Sequence, residues 1–524
     1  MDSGVSTVTT TNESGAGSLG QAISDSNGDL TDITISVSGT LTLTVALPTV
    51  TSSYDIIGNG SFEIDINGVE YAFVLGAGAD GTLSTVLMKN ANRSTGCFLR
   101  AYDGATFEFN VCAFEDNNAT NSRALLWCHA GAVDITFTDC FVTDIGTAGL
   151  FRRSIELGGV GVDSSLTISG GEWIRVGTIR PQRAMLDISN VVFDADTMAN
   201  AGPCFWDQSG TYSSGNIWTF TDVTIRNYHK ADGGGALRTE VTSELYLIRC
   251  KFDSNTAEYL GGALRTHNLR GIFYMEDCEV LDNACTTSGN ENGGFAYLAV
   301  DSVNKLDSFT IKACSFYRNS AEGRDSGVFQ FESFAMVSGN GTIDNCTFFE
   351  NTSVRWGGVA RIAGMSSEID WTNCTFYSNT ASTSGGCFYE GVSTNNNFYN
   401  CIFWGNTALG SGNTFYGTNY TGQHNLMDYD GSGQFVDGDS DDNKLGTGYT
   451  SGLSDISNNG GLVLTCAINN DSDAKNAGDD SFISESYDAR GLGFARKVGT
   501  VDMGAFEIQP LVGAGLRLTG PFYS

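Results

Sequence analysis

The sequence predicts an all-β chain, a single-stranded parallel β-helix with a short N-terminal capping helix, and three observations carry that reading. One phrase recurs six times: CKFDSN at Cys250, CEVLDN at Cys278, CSFYRN at Cys314, CTFFEN at Cys346, CTFYSN at Cys374 and CIFWGN at Cys401. Successive cysteines stand 28, 36, 32, 28 and 27 residues apart, and each precedes an asparagine by five positions (Asn255, Asn283, Asn319, Asn351, Asn379, Asn406). A fixed period of this length is one structural unit stacked on its neighbours. A second strand-like run then follows each asparagine behind a Gly-Gly or close variant: GGALRTE at Gly234, GGALRTH at Gly261, GGFAYLA at Gly293, SGVFQFE at Ser326, GGVARIA at Gly357 and GGCFYEG at Gly385. The periodic segments, finally, are crowded with Val, Thr, Phe and Tyr in a chain with 66 glycines. Helical repeats need alanine- and leucine-rich amphipathic stretches instead, and propeller blades run nearer ~40 residues with tryptophan-aspartate signals.

At the N-terminus, Ser18 and Gln21 have the spacing of a capping box, so a short helix is expected to close the open end of the coil. Within a repeat, the cysteine and the residue two places on (Phe252, Val280, Phe316, Phe348, Phe376, Phe403) alternate with Lys251, Glu279, Ser315, Thr347, Thr375 and Ile402. That is strand periodicity with the cysteine side inward. Backward, CAFEDN at Cys112 fits the phrase, Cys140 follows 28 residues later, and TIRN ending at Asn227 fits with Asp222 in the cysteine slot. Between about residues 143 and 214 the phrase decays, and rungs are expected there without a resolved register. The chain divides into a cap with the first rungs (1–95), the β-helix core (96–410), C-terminal rungs with a closing motif (411–507) and a tail (508–524). At ~4.8 Å per rung the rod should be about 80 Å long.

The formal charge of -32, from 28 Lys+Arg against 60 Asp+Glu, argues against nucleic acid as a partner. No window approaches the ~20 apolar residues of a membrane span. The fourteen cysteines include no C-x-x-C pair, and the repeated ones fall at the same place in each coil, so they read as small interior residues rather than bridges or ligands. The asparagines read as a ladder of amides bonded to each other and to the turns.

Three segments resemble an adhesin-like bacterial family of right-handed β-helix surface proteins, the choice-of-anchor type, whose rungs are similar to chlamydial polymorphic outer-membrane protein repeats. They are SGAGSLGQAISDSN from Ser14 with DITISVSGTLTLTVALPTV after it, NNGGLVLTCAINNDSDAKNAG from Asn458, and DARGLGFARKVGTVDMGAFE from Asp488. Gly20 stands where the family usually has arginine, and Asp471-Ser472-Asp473 where it has Gly-Ser-Pro. The resemblance implies a right-handed coil and an adhesive or structural role, with no established chemistry. The first residues show no secretory leader and only a short stretch follows Glu507. The expectation is therefore a virion or extracellular component, a phage spike, fibre or decoration protein, with surface polysaccharide or other virion proteins as partners and homotrimers as one arrangement. A secreted bacterial adhesin is one alternative. A polysaccharide depolymerase on the same fold is the other.

Aligning the Gly-Gly strands places Leu237, Leu264, Ala296, Phe329, Ala360 and Phe388 in an inward column. Arg238, Arg265, Tyr297, Gln330, Arg361 and Tyr389 then point outward, with Glu240, His267 and Glu332 two residues further on. Planar donors, aromatic faces and carboxylates in a strip suit sugars, so this is the candidate glycan-binding face; the competing reading is a solvated sheet face with cross-rung pairs. Arg238, Arg265 and Glu240 could imitate a lyase site, although no aspartates cluster nearby, and no catalytic residue is assigned. The run DYDGSGQFVDGDSDDN offers Asp437, Asp439 and Asp441 at calcium-like spacing, without the glycine and distal glutamate of an EF-hand; a solvated loop is the preferred reading there, and no cofactor is otherwise expected.

Overall fold

The computed structural model describes residues 5–510 except 68, 91–96, 118–124, 129–130, 146–152, 158–163, 183, 197, 199–201, 208–215, 241, 288–292, 301–304, 333, 392–395 and 439. Each coil adds one strand in turn to three parallel sheets, and the chain winds as a β-solenoid of the right-handed type. Among the described residues, sheet A has sixteen strands, from Ser6–Val8 to Tyr420–Gln423, and sheet B sixteen, from Gly39–Thr42 to Lys444–Leu445. Sheet C has thirteen, from Tyr71–Leu75 to Phe415–Tyr416. A fourth sheet, D, of seven two-residue strands begins at His229–Lys230, so later coils have an extra corner. At ~4.8 Å between strands the rod is about 70 Å long. Among the described residues no helix is long and apolar enough to cross a membrane.

The repeated phrase forms one edge of the core. Cys250, Cys278, Cys314, Cys346, Cys374 and Cys401 are buried and unbridged at the corner from sheet A to sheet B. The Cys250 amide donates to Cys278 Sγ at 3.3 Å, and the Cys278 amide to Cys314 Sγ at 3.4 Å. Inside sheet B, Phe316, Phe348, Phe376 and Phe403 stack at 4.9, 4.9 and 4.6 Å with interplanar angles of 5° or less. The asparagines make the next corner. From Asn283 to Asn406 the side-chain oxygen accepts both the backbone and side-chain N–H of the preceding asparagine, as Asn351 Oδ1 does from Asn319 at 3.0 and 3.1 Å. The second glycine of each Gly-Gly is required by the stacking itself: a Cβ on Gly358 would lie 2.1 Å from the Gly386 carbonyl.

Two expectations are corrected by the register. Thr224 pairs with Lys251, so Val223 and not Asp222 occupies the cysteine slot, and Tyr228 occupies the asparagine slot, its amide donating to Asn255 Oδ1 at 3.2 Å. Asp222 is instead the corner residue at φ 57°, paired with Arg249 at 2.7 Å. A left-handed corner tolerates Asp or Asn, while the slot beside it needs a small apolar side chain, and that sets the phase. In the decayed stretch, the strands from Phe141–Ile145 to Phe205–Trp206 keep their places in sheets A, B and C. The N-terminal helix α1 (Leu19–Asp29) buries Leu19, Ala22 and Ile23 against the first coil. Ser18 caps it by accepting from the Gln21 amide at 3.1 Å, but the Gln21 side chain turns forward to Asp25 at 2.7 Å, so only half of the capping box forms.

After Leu445 the chain reverses and runs back outside sheet B as a strap. Its attachment points include the left-handed corner asparagines that precede the cysteines. Asn345 donates to the Tyr487 carbonyl at 3.3 Å, Asn373 accepts from Arg496 at 3.1 Å, and Asn400 both donates to and accepts from Asp479, at 3.0 and 2.8 Å. Under the strap the outward residues Ser315, Thr347, Thr375 and Ile402 are buried although they face away from the core. Gly504 lets the strap approach closely, since a Cβ there would meet Ile402 and Thr375 atoms at 2.7 Å and its φ is 89°. The strap has its own polar interior: Arg490, sandwiched between Phe494 and Phe506 at 4.0 and 3.8 Å, pairs with buried Asp488 at 2.6 Å and donates to the Glu507 carbonyl at 2.6 Å.

Burial pushes Glu507 up to about 7 and Asp344, beneath the strap, up to about 6. Both folded values lie above the ordinary carboxyl range, so their support for docking is full below about pH 4 and is lost as pH rises through 6 and 7. Calorimetry from pH 5 to pH 8 should show a falling midpoint for release of the strap. Glu507→Gln should flatten the upper part of that profile.

Candidate functional site

Sheet C is the face that gathers chemistry. Its register pairs Arg238 with Arg265, then Tyr297, Gln330, Arg361 and Tyr389 in succession, while Leu237, Leu264, Ala296, Phe329, Ala360 and Phe388 lie buried beside them. The column continues further than the Gly-Gly pattern reached. Tyr389 pairs with Tyr416, Arg238 with Trp206, and upstream Arg100, Trp127, Glu156 and Arg180 stand in the same line.

The column is not a freely solvated strip. Arg238, Tyr297 and Gln330 are 7%, 6% and 0% exposed, and Arg265, Arg361 and Tyr389 are half-buried. The reason is that long side chains lie along the rod and stack across rungs instead of standing off the sheet. Trp206 carries the Arg180, Arg238 and Lys230 cations at 5.2, 4.7 and 5.3 Å from its ring centre. Arg100 lies 4.8 Å from Trp127 and 4.8 Å from Tyr102. Toward the other end, Trp356 stacks on Tyr389 at 4.4 Å and Tyr389 on Tyr416 at 4.9 Å, with interplanar angles of 8° and 2°. Arg355 covers Trp356 at 3.4 Å and Arg361 approaches it at 5.2 Å. Cation–π stacking in such partly desolvated surroundings contributes about 1–2 kcal/mol per contact.

The carboxylates are unevenly spent. Arg238 is closed by Asp232 at 2.6 Å and Glu240 at 2.8 Å. Gln330 donates to Glu332 at 3.3 Å, and His267 is exposed beside Asn268. Asp325 is 1% exposed, neither of its oxygens has a hydrogen-bond partner, and its ion pair to Arg361 is long at 3.6 Å. Burial pushes its carboxyl up against the opposing charges of Arg361, Arg355 and Arg324. Burial and the neighbouring Arg238 charge pull Arg265 below the ordinary guanidinium range. The sequence reading missed Trp206, Trp356 and Tyr416; an aromatic directly before Gly357-Gly358 was the available signal.

The acidic loop gathers no comparable set. Asp439 lies outside the described residues, Asp437 accepts from the Leu445 amide at 2.9 Å, and Asp441 accepts from Gln423 at 3.2 Å. Among the described residues no group of three or more histidine, cysteine or acidic side chains is placed to hold a metal ion.

No family model matches the chain, and no curated protein matches it.

Proposed function

We propose that this protein is a non-enzymatic structural and adhesive rod that contacts surface polysaccharide through the outward column of sheet C. The single observation that carries the reading is the arginine and aromatic ladder, because flat aromatic faces take sugar rings and guanidinium forks take their hydroxyl and acidic groups. The ladder is pre-organised by its own stacking, which reduces the side-chain entropy lost on binding. The resemblance of the N-terminal and closing segments to adhesin-like β-helix proteins is in keeping with this role.

The setting proposed is a virion spike, fibre or decoration protein. Fourteen buried thiols without a bridge suit a chain that folds in a reducing cytoplasm and leaves it already assembled. Antibody labelling of purified particles tests that setting, and label confined to a cell wall would exclude it. For the glycan contact, Trp356→Ala combined with Tyr389→Ala should weaken retention on host or algal polysaccharide roughly tenfold or more, since each stacked aromatic contributes about 1 kcal/mol. Unchanged retention would remove the ladder from the contact.

One observation favours a second reading, a polysaccharide lyase: Arg265 is half-buried and paired in register with Arg238, and burial and that neighbouring charge lower its pKa, the direction in which a basic arginine would have to move. Catalytic shortening of polysaccharide, abolished by Arg265→Ala, would establish it and overturn the non-enzymatic proposal.

A further inference from the structure

Elsewhere on the rod several arginines of this acidic chain are neutralised locally. Arg175 pairs with Asp144 and Asp196, Arg226 with Asp194, Arg249 with Asp222 and Arg318 with Asp282. With 60 acidic residues to 28 basic ones, a carboxylate partner is easy to supply. The outward column of sheet C does so for Arg238 and, at a longer distance, for Arg361, but not along its whole length. Among the described residues, no carboxylate lies within ion-pair distance of Arg100, Arg265 or Arg355. Arg100 rests among aromatic rings and Arg355 on Trp356. Among the described residues Arg265 donates only to the Asp232 backbone carbonyl, at 3.2 Å, while the nearby carboxylates of Asp232 and Glu240 are both closed on Arg238. The Nε groups of Arg100, Arg265 and Arg361 are buried without a hydrogen-bond partner. Asp325 lies 3.6 Å from Arg361, and the charges of Arg355 and Arg324 act on it from further away.

A half-desolvated guanidinium resting on an aromatic face has lost hydration that a ring restores only in part, whereas a planar oxyanion restores it through paired, charge-assisted hydrogen bonds. We infer that the glycan taken by sheet C is anionic, carrying carboxylate or sulfate groups, and lies along the rod with acid groups at Arg265 and at the Arg355–Arg361 pair. The inference rests on the glycan reading above and adds the charge of the ligand to it. Arg265 and Arg361 are three rungs apart, about 14 Å along the axis. A chain of net charge -32 repels polyanions at long range, so recognition depends on this local patch. At physiological ionic strength the Debye length of about 8 Å screens that repulsion but leaves contact pairs intact.

The test is a titration of the full chain at 0.15 M salt (about the physiological value) against dextran, dextran sulfate, polygalacturonate and inorganic polyphosphate. At least one of the two charged glycans should bind about tenfold or more tightly than dextran. Arg265→Gln and Arg355→Gln should each weaken that binding by roughly tenfold and lower the melting temperature by no more than about 2 °C. Arg355 lies in the turn before the sheet strand, so its variant does not depend on sheet C tolerating the change. Dextran bound as tightly as both charged glycans would overturn the charge inference and leave the glycan contact standing. Binding to none of the sugars would overturn both. Polyphosphate bound as tightly as the charged glycans would show recognition of charge alone and would also overturn it.

Discussion

Asn351→Leu is expected to destabilise the middle of the rod by about 3–5 kcal/mol, because a buried group stripped of its partner costs about 1–3 kcal/mol and two are stripped at once. Asn351 Oδ1 accepts from the Asn319 amide, and its Nδ2 donates to the Phe316 carbonyl at 2.9 Å and to Asn379 at 3.0 Å. Leucine has the same branching and number of side-chain heavy atoms but satisfies neither the Asn319 N–H nor the Phe316 carbonyl. Asn351→Asp should be at least as harmful at neutral pH, since it sets a carboxylate against two acceptors, and acid should relieve part of the damage. The loss should be local, as stability in a stacked array is largely a sum over neighbouring units. Hydrogen exchange should quicken at residues 316–319 and 347–352 well before it does at the first coils. Uniform protection across those segments in the leucine variant would show that the amide ladder is dispensable.

Arg490→Leu should release the strap. Asp488 is 1% exposed and accepts from the Arg490 side chain and from the Glu507 amide at 2.9 Å, so the variant leaves a buried carboxylate without its cation. Breaking such a pair from one side costs about 3–5 kcal/mol. Exchange protection at residues 488–507 should collapse while the coils from Cys112 to Cys285 keep theirs. Arg490→Lys should recover only a fraction, because a point charge cannot lie flat between Phe494 and Phe506. Retained protection of the strap in the leucine variant would mean that its apolar contacts suffice.

The repeat was legible because cysteine and asparagine are chemically distinctive and recur in phase, and because only glycine fits the stacked turn. The slip at Asp222 arose where both markers are replaced: Val223 and Tyr228 keep the geometry while discarding the letters. The upstream half of the sheet C ladder was hidden for a related reason, since before Leu237 no Gly-Gly announces the strand. Burial of the outward column could not be read from alternation, which gives the direction of a side chain but not how neighbouring rungs stack over it. The strap did leave a trace. Along one outward column the residues change from Lys251 and Glu279 to Ser315, Thr347, Thr375 and Ile402, from charged to small or apolar, where the chain returns to cover them.

That returning segment also decides the order of events during synthesis. The surface it covers is made long before it is, with 173 residues separating Lys312 from Glu485, which meet at 3.2 Å. Until the last part of the chain emerges, the waiting face presents Leu281, Tyr317, Phe349 and Ile402 beside its hydroxyl groups, so a half-built rod carries an apolar stripe that only the strap covers. Once the strap arrives, the final coils are fastened to coils several rungs back, and the free end of the solenoid can no longer peel away one turn at a time.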